Sequence, residues 1–382
     1  MVGTGRSPAG VEDAIRLGCG CHRPGEMIIV DDVIIVGRSG VVRQLPGTPF
    51  PSAARIESSM FFRPPGWFPV MHDPSRFWDC WFLVGSTATG KTAIGVELAE
   101  RIGAEIVAVD SMTIYRGMDI GTAKPSPALR DRIPHHLLDV VDPTDEFSVS
   151  QFLAEVNRVV DEIRARGNQV LFVGGTPLYV NALLRGLNPG PPPDWEFRRE
   201  VEREVERVGL GALHERLELL DPLAASKIHP HDKKRIIRAL EVIRSTGVPI
   251  SHRQRHFDDP PPVPIRRGFL LQLPREELHR RIDERVQRMF ESGLVDEVER
   301  LLESYGELGR TARQAVGYRE VLAMIFNGLP REEAITATQA RTRRFARHQE
   351  TWWRRFRELE RVEAGDAAPP ALASRLAVWH NA

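Results

Sequence analysis

The strongest chemical signal in the sequence is a glycine-rich stretch that ends in a lysine and a threonine. It consists of Gly85, Ser86, Thr87, Ala88, Thr89, Gly90, Lys91 and Thr92, and it matches the P-loop pattern at every fixed position. In this pattern the glycines let backbone N–H groups converge on phosphate oxygens, while the lysine adds a positive charge. The stretch predicts a diphosphate site in which the Thr92 hydroxyl holds Mg²⁺. A glycine-rich turn without a ligand is the alternative, and the strand and helix expected around the stretch argue against it.

The residues that follow apolar runs indicate what the phosphate site is used for. A P-loop nucleotide hydrolase needs an acidic residue at the end of such a run to hold its metal ion. The run 170–173 ends instead in Gly174, Gly175 and Thr176, whereas the run 106–109 ends in Asp110. Asp110 is therefore a candidate for a metal ligand or for a general base that faces the phosphate site.

Clusters of basic residues are candidates for binding phosphate groups outside the P-loop. The chain contains 52 Lys and Arg against 52 Asp and Glu, so nucleic-acid binding requires a local basic surface. Arg281 and Arg285 are four residues apart, which places both on one helix face. The other basic side chains lie in the stretch 233–238, at Arg253 and Arg255, and at Arg341, Arg343, Arg344, Arg347, Arg354 and Arg355. A solvated helix face is the alternative for each cluster.

Short apolar runs alternate with amphipathic stretches from residue 81 onward, as in a parallel sheet covered on both faces. The strands are predicted at 81–84, 106–109, 136–140, 170–173 and 268–273, with a helix after Gly90 and another from Ser148 to near Gly167. The pattern predicts an α/β fold with a P-loop NTPase-like parallel sheet flanked by helices, an inserted all-helical subdomain and a helical C-terminal part.

Proline-rich stretches and changes in composition predict the domain boundaries. Residues 80–188 and 265–360 form the P-loop core with its C-terminal helices, and 189–264 form the helical insertion. Residues 1–79 are expected to be an irregular N-terminal extension, either disordered or the product of a start codon placed too far upstream. Residues 361–382, rich in Ala and Pro, are expected to be a frayed tail.

Several classes of protein do not fit this sequence. Its apolar runs fall far short of the roughly 20 residues that span a bilayer, and the start lacks a secretory signal. Three cysteines cannot form a disulfide framework, which indicates a reducing compartment and makes the cytoplasm the expected location. Cys19, Cys21 and His22 lack a second ligand pair nearby, so ordinary thiols are favoured over a zinc site.

Several motifs, taken together and in order, resemble the tRNA dimethylallyltransferase family. They are the P-loop, 109–111 with 114–115, 117–125, 174–176 with 178–179, 229–230 with 238–241, 314–319, and the Arg- and Trp-rich end 341–356. The resemblance runs from about residue 81 to about residue 356. Two departures are Ser86, where members usually carry Pro, and Thr113, where many carry Gln.

The resemblance implies an enzyme that transfers a dimethylallyl group from dimethylallyl diphosphate to N6 of an adenosine in tRNA. That adenosine is 3′-adjacent to the anticodon (position 37), in tRNAs that read codons beginning with U. The products are N6-dimethylallyladenosine and diphosphate. The expected partners are the anticodon stem-loop and the prenyl diphosphate, with Mg²⁺ as cofactor and a monomer as the working state.

The resemblance also assigns roles to individual residues. Asp110 is the expected base, and Thr87 hydrogen-bonds the bridging oxygen of a diphosphate that the P-loop, Arg281 and Arg285 bind. The expected tRNA-binding residues are Asp110, Ser111, Met112, Thr113 and Thr176, then Lys234, Arg235, Ile236, Ile237 and Arg238 in the insertion, and Gln314, Ala315, Val316, Gly317, Tyr318 and Arg319. For 314–319, a helix with a glycine kink is the alternative.

Three other functions stay open at this point. An isopentenyltransferase that acts on free AMP or ADP shares the chemistry, although a free nucleotide needs no large helical insertion. A P-loop small-molecule kinase would use ATP, and the missing acid after residue 173 counts against it. A non-catalytic RNA-binding protein with a relic P-loop is disfavoured because Lys91, Thr92 and Asp110 are all present.

Overall fold

The structure, a computed structural model, describes residues 73–187, 190–253, 259–261, 264–365 and 367–379. Before residue 73 it describes the backbone of three short antiparallel strands, β1 (Met27–Val30), β2 (Val33–Val36) and β3 (Val42–Gln44). The remainder of the predicted extension 1–79 up to residue 72 lies outside the described residues. So do Cys19, Cys21, His22 and Arg255.

A six-stranded parallel sheet forms the centre of the larger part of the chain. Its strands are β4 (Trp81–Gly85), β5 (Ala104–Val109), β6 (His135–His136), β7 (Gln169–Gly174), β8 (Gly268–Gln272) and β9 (Glu360–Glu363), in the order β6-β5-β7-β4-β8-β9. The predicted α/β class and the predicted strands β4, β5, β7 and β8 are confirmed. The predicted strand 136–140 is wrong beyond His136, because Leu137 and Asp139 adopt left-handed φ angles of 62° and 56° that end the ladder.

Helices connect the strands and continue beyond the sheet. They are α1 (Lys91–Ile102), α2 (Pro127–Arg132), α3 (Val149–Ala165), α4 (Pro177–Arg185), α5 (Trp195–Leu220), α6 (Pro222–Lys227), α7 (Lys233–Thr246), α8 (Ile250–Arg253), α9 (Arg275–Glu291), α10 (Leu294–Tyr305), α11 (Tyr318–Asn327), α12 (Arg331–Trp353) and α13 (Pro369–Trp379). The predicted start of α3 is confirmed, because Ser148 and Gln151 form a reciprocal capping box there.

The sheet is buried on both faces, which explains why its strands are apolar without alternation. Residues 81–85 of β4 are all buried. On one face, Leu83 and Leu171 pack with Ile94 and Leu98 of α1. On the other face, Phe82 and Phe172 stack with ring centroids 4.9 Å apart inside the larger apolar core. Burial of both faces is the main driving force for this architecture.

The predicted insertion contains only helices among its described residues. The chain divides into two compact units, and the smaller unit includes Asp194–Glu241. Its long helix α5 is broken at Gly209, whose φ of 83° is left-handed. The buried Glu241 carboxylate accepts hydrogen bonds from the Asp194 N–H and from Arg198, which fixes the start of α5 to α7.

The prediction of a frayed tail at 361–382 is wrong for most of its length. β9 pairs in parallel with β8 and buries Val362, so the chain adds an edge strand to the sheet. In α13, Leu372, Ala373 and Leu376 are buried in the same core cluster as α1. The Ala- and Pro-rich composition conceals this apolar face. Among the described helices, none is long and apolar enough to cross a membrane.

Candidate functional site

A cavity of about 910 Å³ brings together most of the residues that the sequence singles out. Its wall includes the segments that follow the carboxyl ends of β4, β5 and β7, where parallel sheets commonly bind ligands. Side chains from α9, from the segment 311–316 and from α12 complete the wall. All of them belong to the larger compact unit.

The P-loop has the backbone shape that its glycines predict. A Cβ atom at Gly85 would lie 2.6 Å from the Leu271 carbonyl oxygen, so only glycine fits beside β8. Gly90 takes a left-handed φ of 89° and caps α1, whose N-terminus lies at the cavity. The Ser86 carbonyl accepts hydrogen bonds from Thr89 Oγ1 at 2.9 Å and from Lys91 Nζ at 2.6 Å. Ser86 and Thr89 are buried and, with Gly85, do not line the cavity, so these three predicted diphosphate-binding residues serve the shape of the loop.

Two partly buried cations, Lys91 of the loop and Arg285 of α9, lie at the cavity. Burial is the main reason that the pKa of Lys91 falls to about 7; repulsion from Arg285 lowers it further, and Asp110 opposes the shift. Burial likewise lowers the pKa of Arg285, whose Nη1 donates to Thr87 Oγ1 at 3.0 Å. An anion that entered the cavity would stabilise both positive charges.

The structure separates the predicted pair Arg281 and Arg285, although both line the cavity. Arg281 bonds to the Glu277 carboxylate one helical turn earlier and to the Gly365 carbonyl oxygen at 3.0 Å. Arg285 bonds to the P-loop itself. Arg285 is therefore the arginine with the closer relation to a ligand in the P-loop.

Asp110 follows β5 and lines the same cavity. Its Oδ1 accepts the N–H groups of Met112 at 2.8 Å and Thr113 at 3.4 Å, which fixes the carboxylate in a local turn. Burial raises the pKa of Asp110, although these N–H groups and the nearby Lys91 and Arg285 lower it. A partly buried carboxylate with a raised pKa is a suitable proton acceptor.

The turn after β7 is linked to the residues after Asp110. The Ser111 N–H donates to Thr176 Oγ1 at 3.1 Å, and the Thr176 N–H donates to the Val109 carbonyl oxygen at 3.2 Å. A Cβ at Gly174 would lie 2.0 Å from that same oxygen, so glycine is required there. Ser111, Met112, Thr113 and Thr176 all line the cavity.

The segment 314–319 contributes only part of what the sequence predicts. Gln314, Ala315 and Val316 line the cavity. Gly317, with a φ of 92°, caps the N-terminus of α11, and Tyr318 is completely buried, so both residues serve the structure rather than the cavity. Arg319 is exposed and lies outside the cavity lining. The segment is therefore not a helix with a glycine kink: a short turn at 312–314 leads to Gly317, which caps α11.

Sequence reasoning missed Glu297, a buried residue of α10. Its carboxylate accepts the N–H groups of Asp119, Ile120 and Gly121 at 2.7–3.3 Å and the Tyr318 hydroxyl at 2.6 Å. A Cβ at Gly121 would lie 2.4 Å from the Tyr318 ring, which explains the glycine. Glu297 therefore holds the 117–125 motif against the start of α11. A glutamate in an amphipathic helix gives no sequence signal for such a role.

Helix α12 supplies further residues that sequence reasoning missed or misread. Gln349 is buried and bonds to Thr87 and Gly175, while Arg341 bonds to Glu320 at 3.0 Å and to the Gln314 carbonyl oxygen at 2.7 Å. Thr342, Phe345 and His348 also line the cavity, and Phe345 is 46% exposed. Arg341, a candidate for phosphate binding, lines the cavity and also has these protein partners.

The remaining basic residues divide into paired and exposed groups. Arg343 bonds to Asp283, whereas Arg344, Arg347 and Arg354 are exposed and form no ion pair among the described residues. Of these three, Arg344 lines the cavity.

Burial of two residues corrects the prediction that the stretch 234–238 of α7 binds RNA. Ile236 and Ile237 are buried core residues of the helical unit, so their side chains cannot present a surface to RNA. Arg238 bonds to the buried Glu241. Lys234 and Arg235 are exposed and can contact a partner.

The residues at the P-loop fit a magnesium ion that is shared with a substrate. Among the described residues, no group of three His, Cys, Asp or Glu side chains is placed to hold a metal. Magnesium commonly takes few protein ligands and completes its shell with substrate phosphates and water. The Thr92 hydroxyl lines the cavity and has no hydrogen-bond partner among the described residues, so its oxygen is available.

Comparisons with known proteins agree with this arrangement. The family model described as IPP transferase matches residues 113–356, and a model described as isopentenyl transferase matches 78–133. A tRNA dimethylallyltransferase from Rhodopirellula baltica is 46% identical over 303 residues, which cover 77% of this chain and 91% of that protein. The structure of a tRNA isopentenylpyrophosphate transferase from Bacillus halodurans has a TM-score of 0.56 and 36% identity, over 79% of this chain and 95% of that one. A eukaryotic dimethylallyltransferase solved acting on tRNA has a TM-score of 0.62 and 26% identity, over 75% and 74%.

Proposed function

The chain belongs to the IPP transferase family, and on that premise we propose that it is an enzyme that transfers a dimethylallyl group to an adenosine in tRNA. The proposed donor is dimethylallyl diphosphate. The proposed acceptor is N6 of the adenosine 3′-adjacent to the anticodon, at position 37 of tRNAs that read codons beginning with U. We place the reaction in the cytoplasm, where these tRNAs are used, and assign it to a monomer.

One observation supports this function best: the P-loop and Asp110 line a single cavity, and the turn after β7 that also lines it carries no acid. A kinase or a nucleotide hydrolase would need a metal-binding acid at that turn. A diphosphate ester that reacts at carbon needs instead an anion site on one side and a proton acceptor on the other. The cavity offers both.

The proposed reaction is a substitution at C1 of the dimethylallyl group. The adenosine N6 forms a bond to C1, the bond from C1 to the bridging oxygen breaks, and inorganic diphosphate leaves. The proton lost from N6 passes to the Asp110 carboxylate, whose raised pKa suits it to accept that proton. An exocyclic adenine amine is a weak nucleophile, so removal of its proton as the bond forms lowers the barrier.

The leaving diphosphate gains negative charge as the bond breaks, so groups that bind it more tightly at that stage accelerate the reaction. The backbone N–H groups of 88–92, Lys91 and Arg285 are suited to this role, with Thr87 at the bridging oxygen and Arg281 further along α9. Magnesium, when bound by Thr92 and the diphosphate oxygens, would add further positive charge against the leaving group.

We use two names for the walls of the cavity. The donor side comprises the P-loop residues that line the cavity (87, 88 and 90–92), Arg281 and Arg285. The acceptor side comprises 110–113, 174–176 and 314–316. A base within a stacked anticodon loop cannot reach a cavity, so the adenosine must be flipped out of the stack to reach Asp110.

The test is incubation of the purified protein with labelled dimethylallyl diphosphate and, in separate reactions, unmodified tRNA, AMP or ATP. We expect label in tRNA alone, at the adenosine beside the anticodon. Label in AMP or ATP without label in tRNA would identify a nucleotide isopentenyltransferase and overturn the proposal. Phosphoryl transfer from ATP without prenyl transfer would overturn it in favour of a kinase.

A further inference from the structure

Gln349 is a buried amide that joins two loops distant from it in sequence. Its Oε1 accepts the Thr87 N–H at 2.9 Å, and its Nε2 donates to the Gly175 carbonyl oxygen at 2.5 Å. The side chain belongs to a residue that is only 3% exposed and that lines the cavity. Both polar ends of the amide are thus satisfied by backbone groups of the P-loop and of the turn after β7.

The turn after β7 packs closely against Gln349 and the P-loop. A Cβ atom at Gly175 would lie 2.9 Å from Gln349 Nε2 and 3.1 Å from the Gly85 carbonyl oxygen. Glycine at 175 is therefore what allows α12, the P-loop and the turn to meet. In a site packed this closely, the amide sets the distance between the two loops.

Two helices, α12 and α9, each form a hydrogen bond to Thr87. Its N–H is bound by Gln349 of α12, and its hydroxyl accepts from Arg285 of α9 at 3.0 Å. The two helices are tied to each other, because Arg343 of α12 bonds to the Asp283 carboxylate of α9 and Gln339 Nε2 donates to its backbone carbonyl. Thr87 is the residue expected at the bridging oxygen, where negative charge develops in the transition state.

The same helix also reaches the acceptor side. Arg341, eight residues before Gln349 and about 12 Å away along the helix axis, bonds to the Gln314 carbonyl oxygen. Helix α12 is therefore fixed to both walls of the cavity, with Gln349 at the donor end.

We propose that Gln349 is a positioning residue for prenyl transfer: it holds Thr87 against the leaving oxygen of the prenyl diphosphate and fixes the P-loop to the turn that carries Thr176. This role rests on the proposed function. The Gln349 side chain binds the backbone N–H of Thr87, and it affects the reaction by way of Thr87.

The test compares Gln349→Met, which keeps the length of the side chain and removes both hydrogen bonds, with the natural chain. Loss of alignment at the leaving oxygen is expected to lower kcat by about tenfold to a hundredfold. The KM for dimethylallyl diphosphate should change less than threefold, and the dissociation constant for tRNA should not change. A merely structural role would lower stability and kcat and would raise the KM for the donor and the dissociation constant for tRNA together.

Two further variants keep the test decisive. Gln349→Glu retains an oxygen that accepts the Thr87 N–H, but it places a second oxygen against the Gly175 carbonyl and a negative charge beside the diphosphate site, so its kcat should fall at least as far as that of Gln349→Met. This polar variant also serves if the methionine variant does not fold. Thr351→Val on the same helix removes a local bond to the Arg347 carbonyl oxygen and should retain the natural kcat. Natural kcat in both Gln349 variants, or an equal loss in Thr351→Val, would overturn the inference. Lack of prenyl transfer by the natural chain would instead overturn the proposed function.

Discussion

The donor side and the acceptor side of the cavity are built from different kinds of contacts. The donor side is one continuous loop and the start of one helix, to which α9 adds two arginines four residues apart. The acceptor side is assembled from three separate segments, which depend on long-range hydrogen bonds such as the one between Ser111 and Thr176. A diphosphate presents the same geometry in every substrate, so a local motif suffices to bind it. A nucleotide flipped out of an RNA loop requires a surface made by several segments.

The two sides also differ in electrostatics. Burial lowers the pKa of Lys91 and of Arg285 on the donor side, whereas burial raises the pKa of Asp110 on the acceptor side. Each group is thus shifted towards its neutral form. A bound diphosphate would favour the charged forms of Lys91 and Arg285 on the donor side. On the acceptor side, Asp110 can take up the proton that the adenosine amine loses.

The largest expected effect comes from removing the base. Asp110→Asn keeps the shape of the side chain and an oxygen for the Met112 N–H but cannot take a proton. We expect kcat to fall by about a thousandfold, within the range for general base catalysis, while binding of dimethylallyl diphosphate changes little. Measurement of kcat and of the donor dissociation constant separates the two. A kcat within threefold of the natural value would show that Asp110 is not the base.

A single arginine on the donor side gives the next largest effect. Arg285→Ala removes the hydrogen bond to Thr87 and a partly buried positive charge, so kcat/KM for dimethylallyl diphosphate should fall by about a hundredfold. Arg281→Ala is the matched control one turn away; because Arg281 is tied to Glu277 and Gly365, it should mainly raise the donor KM, by a few fold. The reverse order of effects in steady-state kinetics would contradict the arrangement of the donor side.

The pH dependence follows from the sign of the Asp110 shift. The base acts as a carboxylate, and its pKa is raised above the ordinary 3.8. On the acidic side, kcat/KM should therefore fall about tenfold per pH unit below a midpoint that lies above 3.8. Asp110→Asn should lose this limb of the profile. A natural enzyme whose activity stays level down to pH 4 would contradict the shift.

Glu297 tests whether the acceptor side depends on distant support. In Glu297→Gln the amide cannot accept all of the hydrogen bonds from 119–121 and Tyr318, so the free energy of unfolding should fall by about 2 kcal/mol. The KM for tRNA should rise while the KM for the donor is unchanged. Glu299→Gln, an exposed neighbour on α10, is the control for denaturation and kinetics. A rise in the KM for the donor without a rise in the KM for tRNA would contradict the proposal that Glu297 supports only the acceptor side.

The exposed arginines of α12 give the smallest effect. Arg344→Ala with Arg347→Ala should reduce the slope of log Kd for tRNA against log salt concentration by about one for each arginine that binds a phosphate. Arg158→Ala on α3, where Glu155 and Glu162 already neutralise the arginine, is the control. Filter binding between low and high salt measures the slope, and an unchanged slope would exclude these arginines from phosphate binding.

The same contrast explains what could be predicted from the sequence. The P-loop, Asp110 and the strands around them carry their information in adjacent residues, so their positions and the α/β class are confirmed. Glu297 and Gln349 act over more than 170 residues of sequence, and a polar residue in a helix gives no sign that folding will bury it. The assignment of Ile236 and Ile237 to RNA binding is wrong, because the apolar members of a basic helical stretch serve the core.

The central claim is that the P-loop binds a prenyl diphosphate with Asp110 facing the carbon under attack. A crystal structure with a non-reactive thio analogue of dimethylallyl diphosphate tests it most directly. We predict that the diphosphate oxygens accept the backbone N–H groups of 88–92 and that C1 lies between Thr87 and Asp110. A prenyl group directed away from Asp110, or preferential occupation of the P-loop by the triphosphate of ATP in competition, would contradict the claim.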